Sequence, residues 1–226
     1  MSLGLRVAIR IAIVAVALLA FVFLPAGTWS FWQGWAFLSA FILPPTFAFL
    51  YFLRCDRAVV ERRMRTREAV PEQKRLMRVF FLLFLGAFLL PGFDHRLGWS
   101  QRWVGNVPVW VTAIALALVV AGFLLVFWVL RVNSFAGRTI RVDEGQTVIS
   151  TGPYAWVRHP LYLGSIMLFI ATRLALGSWV SLPFFALMTP FYALRLLNEE
   201  KVLRAELPGY ADYCQKTRYH LIPLVW

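Results

Sequence analysis

The sequence predicts an all-α polytopic membrane protein with five to six transmembrane helices. Of its 226 residues, 60% are hydrophobic and 15% are charged, and the mean hydropathy is +0.68, far more apolar than a soluble globular domain. The apolar residues form runs about as long as a bilayer-spanning helix. Lysine and arginine cluster between these runs, so the net charge of +12 fits cytoplasmic loops under the positive-inside rule and requires no nucleic-acid partner.

The N-terminal transmembrane region, residues 1–108, is expected to hold about three spans. The first, residues 5–24, is too long for the apolar part of a signal peptide and is expected to remain as a span with a cytoplasmic N-terminus. The second, residues 29–53, begins with three interfacial tryptophans and contains a proline pair that predicts a kink. The third is a shorter run over residues 79–93 that could begin as far back as Leu76, and residues 94–108 then form a polar connector on the outer side.

A basic loop over residues 54–78 separates the second and third runs and is the strongest cytoplasmic marker. It contains nine lysine or arginine residues. Its first part could form a helix that lies on anionic lipid headgroups. A solvated basic loop is the simpler alternative.

The second region, residues 109–226, begins with the clearest span. That span covers residues 109–130, and Gly122 marks a possible point of close helix packing. Residues 131–151 then alternate polar and β-branched side chains, which predicts a short hairpin or a loop.

A polar motif over residues 152–164 is the strongest candidate site. Gly152-Pro153 indicates a turn, and Pro160 suits the first position of a helix. Arg158 and His159 therefore precede a helix N-terminus, whose free N–H groups and partial positive charge favour an anionic guest. The alternative is a pair of interfacial anchors.

Residues 160–197 are expected to form a helical hairpin that turns at Gly177-Ser178, with Pro183 and Pro190 bending its second arm. The hairpin brings its two cytoplasmic ends together. The cytoplasmic tail that follows has an apolar end, which could fold back to close a pocket.

The end of the second arm carries ionisable residues close to the start of the first. Arg195 and Glu199 are four residues apart and share a helix face, and Glu200 lies beside them. Convergence with His159 would form one site. A solvated ion pair at a helix end is the alternative.

Two cysteines, Cys55 and Cys214, lack paired spacing, so we expect free thiols facing the cytoplasm, no disulfide and no metal site. The sequence contains no phosphate-binding glycine-rich loop and no Rossmann fingerprint. Any cofactor must therefore be bound by loops and helix ends at the membrane surface.

Three motifs follow one another in the second half of the chain: G-P-Y-x-x-V-R-H-P-x-Y-x-G at residues 152–164, Arg195-x-x-x-Glu199-Glu200, and Tyr210-x-x-Tyr213. Together they resemble the isoprenylcysteine carboxyl methyltransferase family of integral membrane enzymes. The resemblance implies S-adenosyl-L-methionine-dependent methyl transfer to a hydrophobic or lipid-like acceptor that enters from the bilayer. A carboxylate acceptor, as in isoprenylcysteine carboxyl O-methylation, is the simplest expectation. Short spans rich in Arg, Ala and Leu are typical of a bacterial inner-membrane protein, with its active site facing the cytoplasm.

The resemblance also implies residue roles. Arg195 would hold the acceptor carboxylate, His159 would join it as a catalytic residue, and Glu199 would pair with the amino group of the cofactor. A carboxylate acceptor needs no general base, whereas an amine or phenol would need one, with His159 or Glu200 as candidates. The other residues expected to line the cofactor are Gln146, Thr147, Val148, Ile149, Tyr154, Pro160, Leu161 and Tyr162, together with His159.

Two other classes of protein remain as alternatives. NADPH-dependent membrane reductases of the sterol or steroid type carry a similar R-H-P-x-Y-x-G run, usually followed by an acidic residue, whereas Ser165 follows here. The Arg-x-x-x-Glu-Glu helix also favours methyl transfer. A non-catalytic membrane scaffold would leave the clustering of the ionisable residues unexplained.

Overall fold

A computed structural model describes residues 2–64, 71–137 and 139–226, and within these ranges the regular structure is helical. Each long apolar run of the sequence becomes a helix. The helices are α1 Leu3–Ala26, α2 Trp32–Cys55, α3 Arg57–Met64, α4 Pro71–Leu97, α5 Trp99–Trp103, α6 Val109–Val132, α7 Pro160–Ala175, α8 Pro183–Glu206 and α9 Tyr210–Lys216, with a 3-10 turn at Gly152–Ala155.

Three of the described helices are long and apolar enough to cross a membrane: α1, α2 and α6, each of 24 residues. At 1.5 Å per residue each is about 36 Å long, enough for the hydrocarbon core of a bilayer. α7 is a shorter apolar helix of 16 residues. The all-α polytopic membrane class is therefore confirmed. The count of five to six crossing helices stays a prediction.

The predicted regions, residues 1–108 and 109–226, share one apolar core. Its buried side chains come from α1, α2, α4, α6 and α7 and include Val22, Phe37, Phe88, Val119 and Ala175. The helices of the second region are therefore held in place by those of the first.

α6 and α7 approach closely at two glycines, as expected for Gly122. A Cβ atom on Gly122 would lie 3.0 Å from Leu168 Cγ and 3.1 Å from the carbonyl oxygen of Gly164. A Cβ atom on Gly164 would lie 2.9 Å from Val126 Cγ2 and 3.2 Å from the carbonyl oxygen of Gly122. The missing side chains let the two backbones meet, which fixes the start of α7 against the end of α6.

The helical hairpin differs from its prediction in the turn and in the second arm. α7 ends at Ala175, and α8 begins only at Pro183 and continues to Glu206. Pro183 starts the helix instead of bending it, because the first helical position needs no N–H donor. Pro190 does lie inside α8.

Asp94 of α4 contacts the turn between α7 and α8, which is longer than predicted. It was predicted in an outer connector, but α4 runs on to Leu97 and the Asp94 side chain is buried. Its carboxylate accepts hydrogen bonds from the Ser100 side chain, from the Ser100 N–H at 2.6 Å and from Ser178 Oγ at 2.5 Å. The turn between α7 and α8 is therefore anchored to the end of α4.

The basic segment over residues 54–78 is structured where it is described. Residues 65–70 lie outside the described residues, and α4 begins at Pro71, before even the earliest predicted start at Leu76. Val59 and Val60 of α3 are buried against Phe52 and Leu130. The simpler expectation of a solvated loop is therefore wrong for α3, which packs on the ends of α2 and α6.

α6 continues to Val132, and the described residues from 133 to 151 form a loop without a strand, so the loop alternative is right and the hairpin is wrong. The alternating pattern does not lead to strand pairing. Instead the chain turns at Asp143, whose carbonyl oxygen accepts a hydrogen bond from Gln146 N at 3.1 Å, and Gly145 has a φ of 71°.

Gly164→Ala tests the glycine contact between α6 and α7. We expect a loss of about 1–3 kcal/mol of stability, because the added methyl group overlaps Val126 and the Gly122 carbonyl. The measurement is the melting temperature of the detergent-purified protein. Gly86→Ala is the matched control, since a Cβ atom there would lie 3.8 Å from its nearest neighbour. An equal response of the two variants would contradict the close-packing account.

Candidate active site

The motif at residues 152–164 folds as the sequence predicts up to the start of α7. His159 is the residue before the helix, and Pro160 occupies its first turn. The tail runs alongside the motif: Arg158 N donates to the Tyr219 carbonyl and His159 N to the His220 carbonyl, both at 2.9 Å. These bonds fix the direction of the two basic side chains.

Glu200 of α8 is the centre of a buried ion-pair network. Its Oε1 lies 2.7 Å from Arg158 Nε and 3.1 Å from His159 Nε2, and its Oε2 lies 3.4 Å from His220 Nε2. Arg158 also donates to the Thr217 carbonyl at 3.3 Å. The network ties the motif, α8 and the tail together.

The anionic guest expected at Arg158 and His159 stays a prediction, but both side chains already contact an anion of the protein itself. Arg158 is 7% exposed, and one edge of its guanidinium donates to both oxygens of Glu200, Nε to Oε1 and Nη2 to Oε2. The anion beside the start of α7 is the protein's own carboxylate, since an unpaired buried guanidinium would be costly.

The surroundings of Glu200 keep it ionised. Burial acts to raise the pKa of its carboxyl group, but the hydrogen bond and charge of His159 and the charges of Arg158 and His220 outweigh it, so the pKa falls from 4.5 to about 2. Burial also lowers the pKa of His220, against the opposing charge of Glu200. Glu200 is thus a fixed anion, which does not suit the general-base role considered for it.

A cavity of about 300 Å³ lies beside this network. One wall is the loop over residues 139–149, and the other walls come from the motif, α7 as far as Phe169, α8 from Phe191 onwards, and α9. Every residue assigned to the site from sequence lies in its lining: Gln146, Thr147, Val148, Ile149, Tyr154, His159, Pro160, Leu161, Tyr162, Arg195 and Glu199.

The cavity has a polar part and an aromatic part. Glu199 Oε2 accepts a hydrogen bond from Tyr162 OH at 2.7 Å, so this carboxylate is oriented across the gap between α7 and α8. Further along the same helices, the lining consists of Phe169, Phe191 and Tyr192. Arg195 lies between the two parts, one helical turn from Glu199 and one from Phe191.

Tyr154 is held at the cavity wall by the loop and the tail. Its hydroxyl accepts a hydrogen bond from Asn133 Nδ2 at 2.9 Å, and its carbonyl accepts one from Tyr213 OH at 2.8 Å. Burial raises the pKa of Tyr154 above its usual range and that of Tyr213 to about 12. Both hydroxyls therefore remain protonated.

Sequence reasoning missed several residues of the lining. Asn133, Arg141 and Ser165 lie outside the motifs that carried the resemblance, and Arg63 comes from the first half of the chain. Asn133 and Ser165 stood near recognisable signals, since Asn133 directly follows α6 and Ser165 directly follows the motif.

The tail folds back, as predicted, but does not close the cavity. Leu221 packs with Tyr162, Tyr192 and Leu196. Among the described residues that line the cavity, Tyr213 is the last in chain order. The final residues support the motif from behind because they pair with its backbone.

The two cysteines are free, with Cys55 exposed and Cys214 buried. Within the described ranges, histidine, cysteine, aspartate and glutamate form no group of three that could hold a metal ion.

Fold and site together define a polytopic helical membrane protein. Its cavity is lined by ionisable side chains near the start of α7 and along α8. Residues 110–207 match the model of the phospholipid methyltransferase family, which includes the isoprenylcysteine carboxyl methyltransferases. The matched region contains the loop, the motif, α7 and α8. The resemblance to this broader methyltransferase family is therefore confirmed over these residues, and the isoprenylcysteine-specific type stays a prediction.

The chain is also similar to a reductase. Over 100 residues it is 31% identical to the Delta(14)-sterol reductase of Mus musculus, a match that covers 41% of this chain and 23% of the relative. The chain thus spans less than a quarter of that relative.

Glu200→Gln tests the ion-pair network. At pH 7 we expect a loss of about 3 kcal/mol of stability, because Arg158 is left buried without an anion. The folded pKa of Glu200 lies below its unfolded value, so its contribution to stability is present above about pH 4.5 and disappears as the pH falls through about 2. Melting temperatures of wild type and variant should therefore converge over this interval.

Glu206→Gln, on the exposed surface of the same helix, is the control and should leave the melting temperature unchanged at pH 7. A difference between wild type and Glu200→Gln that stays constant down to pH 2 would contradict the assignment.

Proposed function

We propose that this protein transfers a methyl group from S-adenosyl-L-methionine to a hydrophobic acceptor embedded in the membrane, most simply to a carboxylate. The observation that carries the proposal is that Glu199 and Arg195, one helical turn apart, line the same cavity. That cavity has a polar loop on one side and aromatic side chains at its other end. The family match over residues 110–207 supports methyl transfer as the reaction.

The cavity fits the proposed methyl donor in size and charge. Its volume of about 300 Å³ is at the lower end of the range for small-molecule sites. The donor carries a cationic amino group and, on its sulfonium, the methyl group that is transferred. Glu199, already oriented by Tyr162, would bind the amino group. The loop residues Gln146 to Ile149 would contact the rest of the molecule through their backbone.

Arg195 and the aromatic end suit an anionic, hydrophobic acceptor. A guanidinium can bind both oxygens of a carboxylate, which would fix its orientation towards the donor. Phe169, Phe191 and Tyr192 would contact the apolar part of the acceptor. An ionised carboxylate attacks a methyl carbon without losing a proton, so alignment supplies most of the catalysis.

His159 is proposed to keep the cavity wall in place while it contacts the donor. Its Nε2 is held by Glu200 Oε1 at 3.1 Å. When one ring nitrogen is bound to a carboxylate, the other can still accept a proton, so this contact does not exclude an amine or a phenol as the acceptor. The preference for a carboxylate acceptor rests on Arg195.

We further propose that the protein lies in the inner membrane of a bacterium and that the cavity faces the cytoplasm. Exposed arginines mark the helix ends around it, with Arg54 at the end of α2, Arg57 in α3 and Arg131 at the end of α6. Basic residues at one set of helix ends follow the positive-inside rule.

A second candidate is NADPH-dependent reduction, which the similarity to the Delta(14)-sterol reductase favours. At the position where such enzymes usually carry an acidic residue, this chain has Ser165, whose hydroxyl donates to the Leu161 carbonyl at 2.9 Å within α7. The Glu199 and Arg195 pair also suits a cationic donor and an anionic acceptor better than it suits reduction.

The acceptor can be identified by the chemistry of the product. Purified protein in vesicles is incubated with tritium-labelled S-adenosyl-L-methionine and either a farnesylated N-acetylcysteine or phosphatidylethanolamine. We expect label only with the carboxylate, and alkali should release it as methanol because a methyl ester hydrolyses while an N-methyl group does not. Arg195→Gln should lower kcat/KM for this acceptor by about 10- to 100-fold.

Lys201→Gln, exposed on the same helix, is the matched control and should leave kcat/KM unchanged. Alkali-stable label on the phospholipid would contradict the carboxylate assignment. Label on neither acceptor, together with NADPH-dependent turnover of a sterol, would contradict methyl transfer itself.

A further inference from the structure

We propose that Arg62 of α3 is a positioning residue that holds the loop over residues 139–149 against the cavity through an ion pair with Asp143. This inference rests on the proposed function only for its effect on donor binding. The motifs lie in the second half of the chain and assign no role to the first half. Arg62 would give the first half a role in the site.

The contact between α3 and the loop has three parts. Arg62 Nε lies 3.1 Å from Asp143 Oδ2, and Arg62 Nη1 donates to the Ser134 carbonyl at 2.9 Å. Its guanidinium also lies 4.3 Å from the centre of the Phe135 ring. Because one planar group binds a carboxylate, a carbonyl and a ring, Arg62 joins the segment that follows α6 to the turn of the loop at Asp143.

Asp143 is the acceptor that organises the turn of the loop. Its other oxygen, Oδ1, lies 2.6 Å from Arg141 Nη2, and its backbone N–H donates to the Gln146 side chain at 3.0 Å. Arg141 and Gln146 both line the cavity. Asp143 therefore connects Arg62 to two residues of the cavity wall.

α3 is a rigid support for this contact. Asp56 Oδ1 accepts hydrogen bonds from the first backbone N–H groups of α3, those of Ala58 and Val59. At the other end, Arg10 of α1 donates to the Met64 carbonyl at 3.1 Å. Since Val59 and Val60 are also buried, the helix is fixed on three sides and Arg62 projects from a defined place.

The loop needs such a support because it has no strand or helix pairing of its own. Seven of the residues over 139–149 line the cavity, namely Thr139, Ile140, Arg141, Gln146, Thr147, Val148 and Ile149. Without the ion pair, these residues would become ordered only when the donor binds, and the free-energy cost of ordering them would reduce the binding affinity. The affinity for the donor would fall, while turnover at saturation would be kept.

The test compares Asp143→Asn, Arg62→Gln and the double variant in the full-length protein. Hydrogen–deuterium exchange of peptides over residues 139–149 is measured without ligand, and the Kd of S-adenosylhomocysteine is measured by calorimetry. Each single variant should speed loop exchange and raise the Kd by about fivefold, as for a partly buried ion pair. The effect of the double variant should be smaller than the sum of the two single effects, because the Arg62–Asp143 ion pair is lost in each of them.

Arg57→Gln is the matched control, since Arg57 lies on the exposed side of α3 and donates to the Leu53 carbonyl. It should change neither measurement. The positioning role is overturned if the variants leave loop exchange within twofold of wild type, or if exchange rises while the Kd stays the same. If the wild type binds no S-adenosylhomocysteine, the proposed function fails, and loop exchange alone decides whether Arg62 holds the loop.

Discussion

The ion pair between Arg158 and Glu200 is the interaction on which the site depends. It joins residues 42 apart in sequence and is buried on both sides. Two charges removed from water are tolerated here because each also has further partners, namely His159 and His220 on Glu200, and the Thr217 carbonyl on Arg158. The motif before α7, the end of α8 and the tail are therefore fixed relative to one another.

This pair also explains why two adjacent glutamates have different surroundings. Successive residues of a helix point about 100° apart, so when Glu200 is directed at Arg158, Glu199 is directed into the cavity. Arg195, four residues before Glu199, shares its face. The buried network thus sets the rotation of α8, and the rotation of α8 presents one anion and one cation to the cavity. Glu200, which does not itself line the cavity, can in this way determine the chemistry of the site.

Much of this arrangement could be predicted from the sequence because it depends on local pattern. The apolar runs predict the helices. The proline at the start of α7 and the helical hairpin together predict that Arg195 and Glu199 lie near His159. The sequence could not indicate which polar groups pair with one another. Asp94 looked like an exposed connector residue, and Arg158 looked free to bind a guest, yet each has its partner within the protein. The packing of α3 likewise depends on contacts between Val60 and residues distant in sequence.

The most direct test of the account is a calorimetric titration of the detergent-purified protein with S-adenosylhomocysteine and with NADPH, for wild type and Glu199→Gln. Binding of S-adenosylhomocysteine and not of NADPH, weakened about tenfold or more by removal of the Glu199 charge, is the predicted result. Binding of NADPH alone, or binding of S-adenosylhomocysteine that is unaffected in Glu199→Gln, would contradict the assignment of the cavity as a methyl-donor site.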